Sequence, residues 1–223
     1  MSHGLKVEES FTLARGVVNV FGMEIPGVMG YRRIVEMMLE LKSTALVLID
    51  LQYGIVTRPW APYAAHEVVT QCAALAKAVR KRGGMVVFVR VLVAELPNLP
   101  VDAPGPRRSA PLPDNACDLV PETDVQPGDL LLTKRQWGAF YGTELDEQLR
   151  RCGVKTIILG GIATNFGVES TARAAFDRGY ELVFAEDAMT SFSAEAHDFT
   201  VMHIFPRMGR VRSVEQLIVA MRH

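Results

Sequence analysis

The chain has 223 residues, of which 49% are hydrophobic and 22% are charged, and its formal net charge is −1. This length suits one α/β domain. The near-zero charge offers no basic surface for nucleic acid and no polybasic patch for a membrane, so we expect a small molecule as the partner. Three dispersed cysteines are too few for a disulfide framework or a CxxC metal site, and we expect Cys72 and Cys152 to be buried in helices.

The beginning of the chain contains no predicted membrane span or secretory signal. The apolar stretch 16–29 is interrupted by Glu24 and Pro26 and is shorter than the roughly 20 residues that a span needs. The first ten residues lack a basic segment followed by an apolar core. We therefore expect a cytoplasmic protein in which residues 1–37 form an N-terminal extension, with at most a short helix around Tyr31–Leu41, and residues 38–223 form the functional domain.

Short apolar runs predict buried strands, and segments of helical periodicity separate them. The predicted strands are Ala45–Asp50, Met85–Arg90, Leu130–Lys134, Thr156–Gly160, Leu182–Ala185 and the shorter Gly209–Arg212. The predicted helices are Ala64–Lys81, Thr143–Arg151, Thr164–Arg178, Ala194–Phe205 and Val214–Met221, the last opened by a capping box of Ser213 and Gln216. This alternation predicts a doubly wound, Rossmann-like, six-stranded parallel sheet with helices on both faces.

A long loop, 92–127, interrupts this rhythm and holds eight of the twelve prolines. Loops of this length in a compact domain usually carry a function, so a lid or an oligomer contact is one reading and a tolerated surface insertion is the other.

The ends of three predicted strands suggest where the chemistry lies. Asp50 closes the first strand, Lys134 closes the third, and the fourth leads through Gly160-Gly161 into the helix that begins at Thr164. Ligands of open parallel sheets bind outside the carboxyl ends of the strands. A carboxylate, an ammonium group and the amides of a helix N-terminus together form a candidate acid/base site, although a structural ion pair would also explain Asp50 and Lys134.

Several other kinds of site are excluded by missing motifs. The sequence contains no GxGxxG, no GxxxxGK[ST] and no GxSxG, which argues against dinucleotide, P-loop and serine-hydrolase sites. The histidines are dispersed without metal-ligand spacing, and we expect them to be structural or on the surface: His3, His66, His197, His203 and His223. We therefore predict neither a metal nor a cofactor.

Three motifs taken together resemble the isochorismatase-like superfamily, whose cysteine hydrolases include nicotinamidases and N-carbamoylsarcosine amidases. They are ALVLIDLQ around Asp50, TKRQWGAF with YGTELDEQLR around Lys134, and GIATNFGVESTARAAFDRGYELVFAEDA. The similarity runs from about Met38 to Leu217. It implies that Asp50 is the acid/base and that Lys134 lies beside it. The position of the family's nucleophilic cysteine is Gly167, so a thioester mechanism is not expected.

Two branches of the family, the nicotinamidases and the isochorismatases, bear on which reaction to expect. Nicotinamidases also carry a metal bound by histidines shortly after the aspartate, and only His66 occupies that interval here. Isochorismatases resemble this chain in having glycine at the cysteine position, and they cleave a vinyl ether without a covalent intermediate. A protonated Asp50 could supply the proton that such a reaction needs on carbon, and general acid catalysis contributes ~10²–10⁴-fold.

The resemblance also implies further site residues. Gln52 would orient Asp50 or lie at the polar rim, while Trp137 and Phe140 would line the pocket or pack in the core. A cis peptide bond is implied between Ile162 and Ala163. Substrate contacts are expected from Ile162, Ala163, Thr164 and Phe166, whereas Arg173, Glu186 and Asp187 are expected to hold the fold or an interface.

The leading hypothesis is an isochorismatase-like hydrolase of a small molecule that uses Asp50 and Lys134, with Gly167 at the vacant nucleophile position. The alternatives are a catalytically silent binding or regulatory member and an amidase that uses an activated water or Ser170. Ser170 lies about one helical turn beyond Gly167, which makes it a poor substitute. We also expect a homo-oligomer, either a dimer or a tetramer.

Overall fold

A computed structural model describes residues 39–97, 99–103 and 112–221 of the chain. The predicted extension 1–37 lies outside the described residues, as does part of the loop 92–127, so the boundary at residue 37 stays a prediction.

The predicted six-stranded parallel sheet is confirmed. Its strands are β1 (Thr44–Ile49), β2 (Met85–Val91), β3 (Leu130–Lys134), β4 (Thr156–Ile162), β5 (Glu181–Thr190) and β6 (Gly209–Arg212). All neighbouring pairs are parallel, in the order β3-β2-β1-β4-β5-β6. In this order the direction of winding reverses between β1 and β4, and ligands of such sheets bind outside the carboxyl ends of the strands at that point.

The strands lie where continuous apolar runs predict them, since helices cover the sheet. Every residue of β1 and β4 is buried. Strand β5 is longer than its predicted core Leu182–Ala185, because it pairs with β4 again after a register shift, with Gly161 opposite Met189 and Ile162 opposite Thr190. The charged Glu186 and Asp187 interrupt the apolar run at this shift, which hides the continuation from the sequence pattern.

The helices are α1 (Tyr53–Val56), α2 (Ala65–Arg80), α3 (Leu145–Arg151), α4 (Glu169–Asp177), α5 (Ala194–Phe199) and α6 (Val214–Ala220). The predicted helix Thr164–Arg178 opens with a π-helical turn, Thr164–Val168, in which Val168 N donates to Ala163 O at 3.1 Å. The predicted helix Ala194–Phe205 likewise changes to a π-helical turn at Thr200–Ile204. The capping box of α6 is present, with Ser213 Oγ accepting from Gln216 N and Gln216 Oε1 accepting from Ser213 N.

The prediction for the cysteines is half right. Cys72 is buried in α2, where its thiol donates to Ala188 O at 3.4 Å. Burial raises the pKa of the Cys72 thiol well above its ordinary value. Cys152 is exposed, so its predicted burial is wrong. It caps the C-terminus of the short α3 and lies beyond the last residue of that helix that faces the core, Leu149. No helix in the described residues is both long and apolar enough to cross a membrane.

Candidate active site

Asp50 follows β1 directly and turns the chain at the carboxyl edge of the sheet. Its amide donates to Val89 O at 2.8 Å, and its φ angle is 55°, in the left-handed region. Aspartate and asparagine enter this region more readily than most residues, because their short polar side chains bond locally. The residue type at position 50 thus fits both the turn and the chemistry.

Lys134 ends β3 and reaches across the end of β2 to Asp50. Its ammonium Nζ lies 2.9 Å from Asp50 Oδ2 and donates to the carbonyl oxygen of Trp137 at 2.5 Å. The exposed fraction of the side chain is 1% for Lys134 and 9% for Asp50. The predicted convergence of these two residues is therefore present as a buried ion pair.

The second carboxylate oxygen distinguishes this pair from one that is merely structural. Asp50 Oδ1 is buried and has no hydrogen-bond partner within the described part of the chain. A buried polar atom without a partner is costly, and such atoms call for an explanation wherever they occur in a native structure. Oδ1 is thus the atom of the pair that can accept from a ligand or carry a transferable proton.

The electrostatics of the pair favour a carboxyl that exchanges its proton near neutral pH. Burial raises the pKa of Asp50 from 3.8 to about 6, against the opposing charge and hydrogen bond of Lys134, which lower it. Desolvation disfavours the charged carboxylate, and here it outweighs the attraction of the ammonium group. A carboxyl with a pKa in this range can serve as both acid and base.

Gly167 faces this pair from the π-helical turn. A Cβ atom at this position would lie 3.2 Å from Lys134 Nζ and 3.4 Å from Asp50 Oδ2. It would also approach Ile49 Cγ2 to 2.9 Å, which real Cβ atoms essentially never do without a shift of the neighbour. Position 167 thus points a side chain at the acid/base pair, and glycine leaves that position without a reactive group.

The turn that carries Gly167 is held by close packing and by side-chain hydrogen bonds, one of which runs from Thr171 Oγ1 to Gly167 O at 2.7 Å. Gly161 has a φ of 113°, and a Cβ there would overlap the backbone of Ile49, so β4 can approach β1 only with glycine at this point. The peptide bond Ile162–Ala163 is cis, as the resemblance implies. Thr164 Oγ1 and His197 Nδ1 are 2.9 Å apart, and Ser191 Oγ donates to Asn165 Oδ1.

His197 has a specific structural role that its spacing did not reveal. It is buried, and burial lowers its pKa despite the opposing charge of Asp198, so the neutral ring that bonds Thr164 is favoured. The expectation of a structural histidine agrees with this contact. Its partner lies 33 residues away in the chain, so no local motif indicates it.

The predicted substrate contacts divide into two groups. Ile162, Ala163 and Thr164 are buried in the turn beside the pair, and the ring of Phe166 packs edge-on against Trp137 with centroids 4.9 Å apart. Trp137 keeps 56% of its surface exposed.

Two other residues of the predicted site make their contacts within the fold. Gln52 is fully buried and spans from β2 to the segment at Ala116: its Nε2 donates to Val91 O at 2.9 Å and to Ala116 O at 3.0 Å, and its Oε1 accepts from Val91 N. These bonds join two parts of the fold and involve no atom of Asp50. Phe140 is buried in the core, where its ring packs against Tyr180 and the Arg178 guanidinium, so it is a packing residue.

Of the three residues expected to hold the fold or an interface, Arg173 and Asp187 make contacts within the fold. Arg173 pairs with Glu169 at 2.8 Å, and Asp187 Oδ1 accepts from Val214 N at the start of α6. Ser170 packs near Gly138 in the loop after β3, while the position facing the ion pair is Gly167. Within the described residues, no three His, Cys, Asp or Glu side chains come together as metal ligands would.

A surface depression of about 430 Å³ near Arg90 and Asp118 is lined by neither Asp50 nor Lys134. It is open and lies along the edge of the sheet, whereas the partnerless buried oxygen and the perturbed carboxyl are at Asp50. We therefore place the candidate site at the carboxyl edge between β1 and β4.

Fold and site together define a doubly wound α/β protein with a buried ion pair at the point where the strand order reverses. A family model, the isochorismatase domain, matches residues 44–216. The chain belongs to the isochorismatase family.

Comparison with known proteins gives the same assignment. The isochorismatase family protein YecD of Escherichia coli O157:H7 is 49% identical over 190 residues, which cover 82% of this chain and all of YecD. A solved isochorismatase family protein from Burkholderia thailandensis is 40% identical with a TM-score of 0.77, covering 83% of this chain and 98% of that one. The ureidoacrylate amidohydrolase RutB of Pantoea ananatis is 41% identical over 98 residues, which cover 44% of this chain and 39% of RutB.

Proposed function

We propose that this chain hydrolyses a small enol ether without a covalent intermediate, with Asp50 transferring the proton and Lys134 holding Asp50 in place. The observation that carries this proposal is a buried carboxyl whose pKa is raised to about 6 and whose Oδ1 has no hydrogen-bond partner in the described residues, while its Oδ2 lies beside Gly167. Membership of a family with named hydrolases such as RutB supports hydrolysis as the class of reaction.

The reaction begins with proton transfer to carbon. Protonated Asp50 donates from Oδ1 to the terminal CH₂ carbon of the C=C–O–R group, and the π electrons form the new C–H bond. The ether oxygen then shares an electron pair with the adjacent carbon to give an oxocarbenium ion. Ionised Asp50 and Lys134 remain 2.9 Å apart, so the charge left on the carboxylate is stabilised as it forms.

Water completes the hydrolysis. It adds to the oxocarbenium carbon, and the proton that it releases returns to Asp50, which restores the acid. The resulting hemiketal loses its C–OR bond, its hydroxyl proton passes to the leaving oxygen, and a ketone and an alcohol are produced. No step requires a nucleophilic side chain, which agrees with glycine at position 167.

Each remaining residue of the proposed site has a positioning role. Lys134 uses one N–H bond on Asp50 Oδ2 and another on the Trp137 carbonyl, which directs Oδ1 away from the ammonium group. We propose that Ile162, Ala163, Thr164 and Phe166 contact the substrate from the turn that carries Gly167, and that Trp137 covers it from the loop after β3.

The direct test is an activity screen of the wild type and Asp50→Asn against isochorismate, simple enol-pyruvyl ethers and small amides. Asparagine is the matched substitution because it also tolerates the left-handed backbone at position 50. We expect enol ether cleavage by the wild type and a loss of roughly 10²–10⁴-fold in the variant. Undiminished turnover in a folded Asp50→Asn protein would refute the acid/base role, and no cleavage of any compound would favour a silent binding protein.

We also propose a cytoplasmic homo-oligomer. Phe199 and Met202, at the end of α5 and the π-helical turn after it, have exposed fractions of 58% and 60%, and exposed apolar side chains in one segment are typical of subunit contacts. Analytical ultracentrifugation of the wild type tests the assembly, and a single monomeric species would contradict it.

A further inference from the structure

Four aromatic side chains from four separate segments form one continuous row at the candidate site, in the order Trp60, Phe192, Phe166 and Trp137. The ring centroids of successive members are 4.7, 5.5 and 4.9 Å apart. The first pair is tilted by 34°, and the next two pairs are close to perpendicular at 84° and 88°. We call these four side chains the aromatic row.

The aromatic row is accessible rather than buried in the core. Phe192 and Trp137 keep 49% and 56% of their surface exposed. Trp60 is half-buried, and its indole N–H donates to Ile55 O at 3.0 Å, so its polar atom is satisfied while the rest of its ring packs on Phe192. Contiguous exposed apolar surface of this kind marks a binding site more often than an accident of folding.

Hydrogen bonds tie the aromatic row to the acid/base pair. The carbonyl of Trp137 accepts from Lys134 Nζ, and Phe166 precedes Gly167 in the chain. At the other end of the row, Ala61 and Ser191 exchange both backbone hydrogen bonds at 2.9 Å, which aligns the neighbouring rings of Trp60 and Phe192. Ser191 Oγ also donates to Asn165 Oδ1, in the turn that carries Gly167.

We propose that the aromatic row binds a planar, uncharged ring of the substrate, and that Trp60 and Phe192 determine the specificity for that ring. This inference rests on the proposed function for the reactive end of the molecule: the ring lies along the row while the hydrolysable group extends to Asp50. None of the four side chains carries a charge, and their flat faces and edges favour π-rich partners over saturated ones of equal size.

A small molecule fits this surface better than a protein partner does. The row ends at Trp137, whose carbonyl accepts from the Lys134 that pairs with Asp50, and the Asp50 side chain is only 9% exposed, so we expect that only a narrow group reaches it. Its members also lie on segments bound to the catalytic turn, and a ligand held there is positioned against Asp50. Orientation of this kind is what a hydrolase gains from binding the part of a substrate that does not react.

The two tryptophans of the chain are both members of the row, so intrinsic fluorescence reports on it directly. The test compares benzamide with cyclohexanecarboxamide, which carries the same amide on a saturated ring of similar size. We expect saturable quenching by benzamide and binding of the saturated analogue that is weaker by roughly 2- to 10-fold, the range that a favourable aromatic pair provides.

Matched variants show which aromatic side chains contribute to benzamide binding. Phe192→Ala should weaken benzamide binding by roughly 2- to 10-fold, whereas Phe176→Ala on α4 should leave it unchanged although Phe176 is also 49% exposed. Trp60→Phe retains a ring and should retain most of the affinity, while Trp60→Ala should not. Circular dichroism and urea midpoints of each variant confirm that the fold is retained.

Three outcomes would overturn the proposal: equal affinity for the two amides, no saturable binding of benzamide, or unchanged benzamide binding in Phe192→Ala. Sedimentation velocity of the same variants tests whether a second copy of the chain covers the aromatic row instead. Dissociation of an oligomer by Phe192→Ala with unchanged benzamide binding would identify a subunit interface. Binding is measured without turnover, so it does not require proton transfer by Asp50. A failure of the proposed catalysis and a failure of the aromatic row are therefore distinguishable.

Discussion

Gly167 provides the sharpest perturbation of the proposed site, because alanine there adds a single methyl group between known atoms. That methyl would lie 2.9 Å from Ile49 Cγ2, 3.2 Å from Lys134 Nζ and 3.4 Å from Asp50 Oδ2. Overpacking of a buried position costs about 1–3 kcal/mol. The higher helical propensity of alanine over glycine returns about 1 kcal/mol. The net loss of unfolding free energy should therefore be about 0–2 kcal/mol, small enough for the variant to fold.

The loss of activity should be much larger than the loss of stability. A methyl group in contact with both charged groups occupies the space next to the carboxyl that the substrate must approach, and it displaces water from the pair. We expect Gly167→Ala to reduce kcat/KM by roughly 10²-fold or more, the contribution of one well-placed acid/base. Steady-state kinetics on the enol ether identified by the activity screen measures this effect, and urea unfolding measures the stability.

Gly128→Ala is the matched control, because a Cβ at that position meets no atom within 4 Å. It should change neither kcat/KM nor the unfolding free energy by more than about 0.5 kcal/mol. A Gly167→Ala enzyme with wild-type kcat/KM would refute the reasoning, since it would show that substrate does not approach the pair past position 167. A parallel fall in both variants would show a general effect of the substitution rather than a local one.

Three further variants test the ion pair and the two residues Gln52 and Phe140. In the proposed mechanism protonated Asp50 is the active form, so kcat/KM should be full below pH 6 and fall as the pH rises through about 6. Lys134→Met removes the charge that lowers the pKa of Asp50, so the falling limb should move to higher pH, and an unmoved limb would contradict the assignment. Lys134→Met should also cost about 3–5 kcal/mol in urea unfolding, because it leaves a buried carboxyl unpaired. Gln52→Leu breaks three buried hydrogen bonds and should cost about 3 kcal/mol without moving the pH limb, whereas a moved limb would restore Gln52 to the site. Phe140→Leu should cost about 1–2 kcal/mol with an unchanged KM, and a raised KM would return Phe140 to the pocket.

The sheet and the meeting of Asp50 with Lys134 could be predicted from sequence for one physical reason. Strands buried on both faces are short apolar runs, and all strands of a parallel sheet end at one edge. Polar residues that close such runs must therefore lie at the same edge, although 84 positions separate these two in the chain. The charged residues after Ala185 break the apolar pattern, which is why the full length of β5 was missed.

The roles of single side chains at the edge could not be predicted in the same way. Gln52 follows Asp50 by two positions, yet its turn directs it to Val91 and Ala116 rather than to the carboxyl. Trp60 and Phe192 meet only because Ala61 pairs with Ser191 across 130 positions of sequence. Contacts of this kind depend on loop geometry, for which the sequence has no periodic signal.

The central claim is that Asp50 delivers a proton to carbon and that no covalent intermediate forms. Hydrolysis of an enol-pyruvyl ether in D₂O, with mass analysis of the keto acid, tests it most directly. The account predicts one deuterium in the methyl group of the keto product, formation of that product in the wild type, and its loss in Asp50→Asn. Formation of the keto product at the wild-type rate by a folded Asp50→Asn protein, or a substrate fragment covalently attached to the quenched protein, would contradict it.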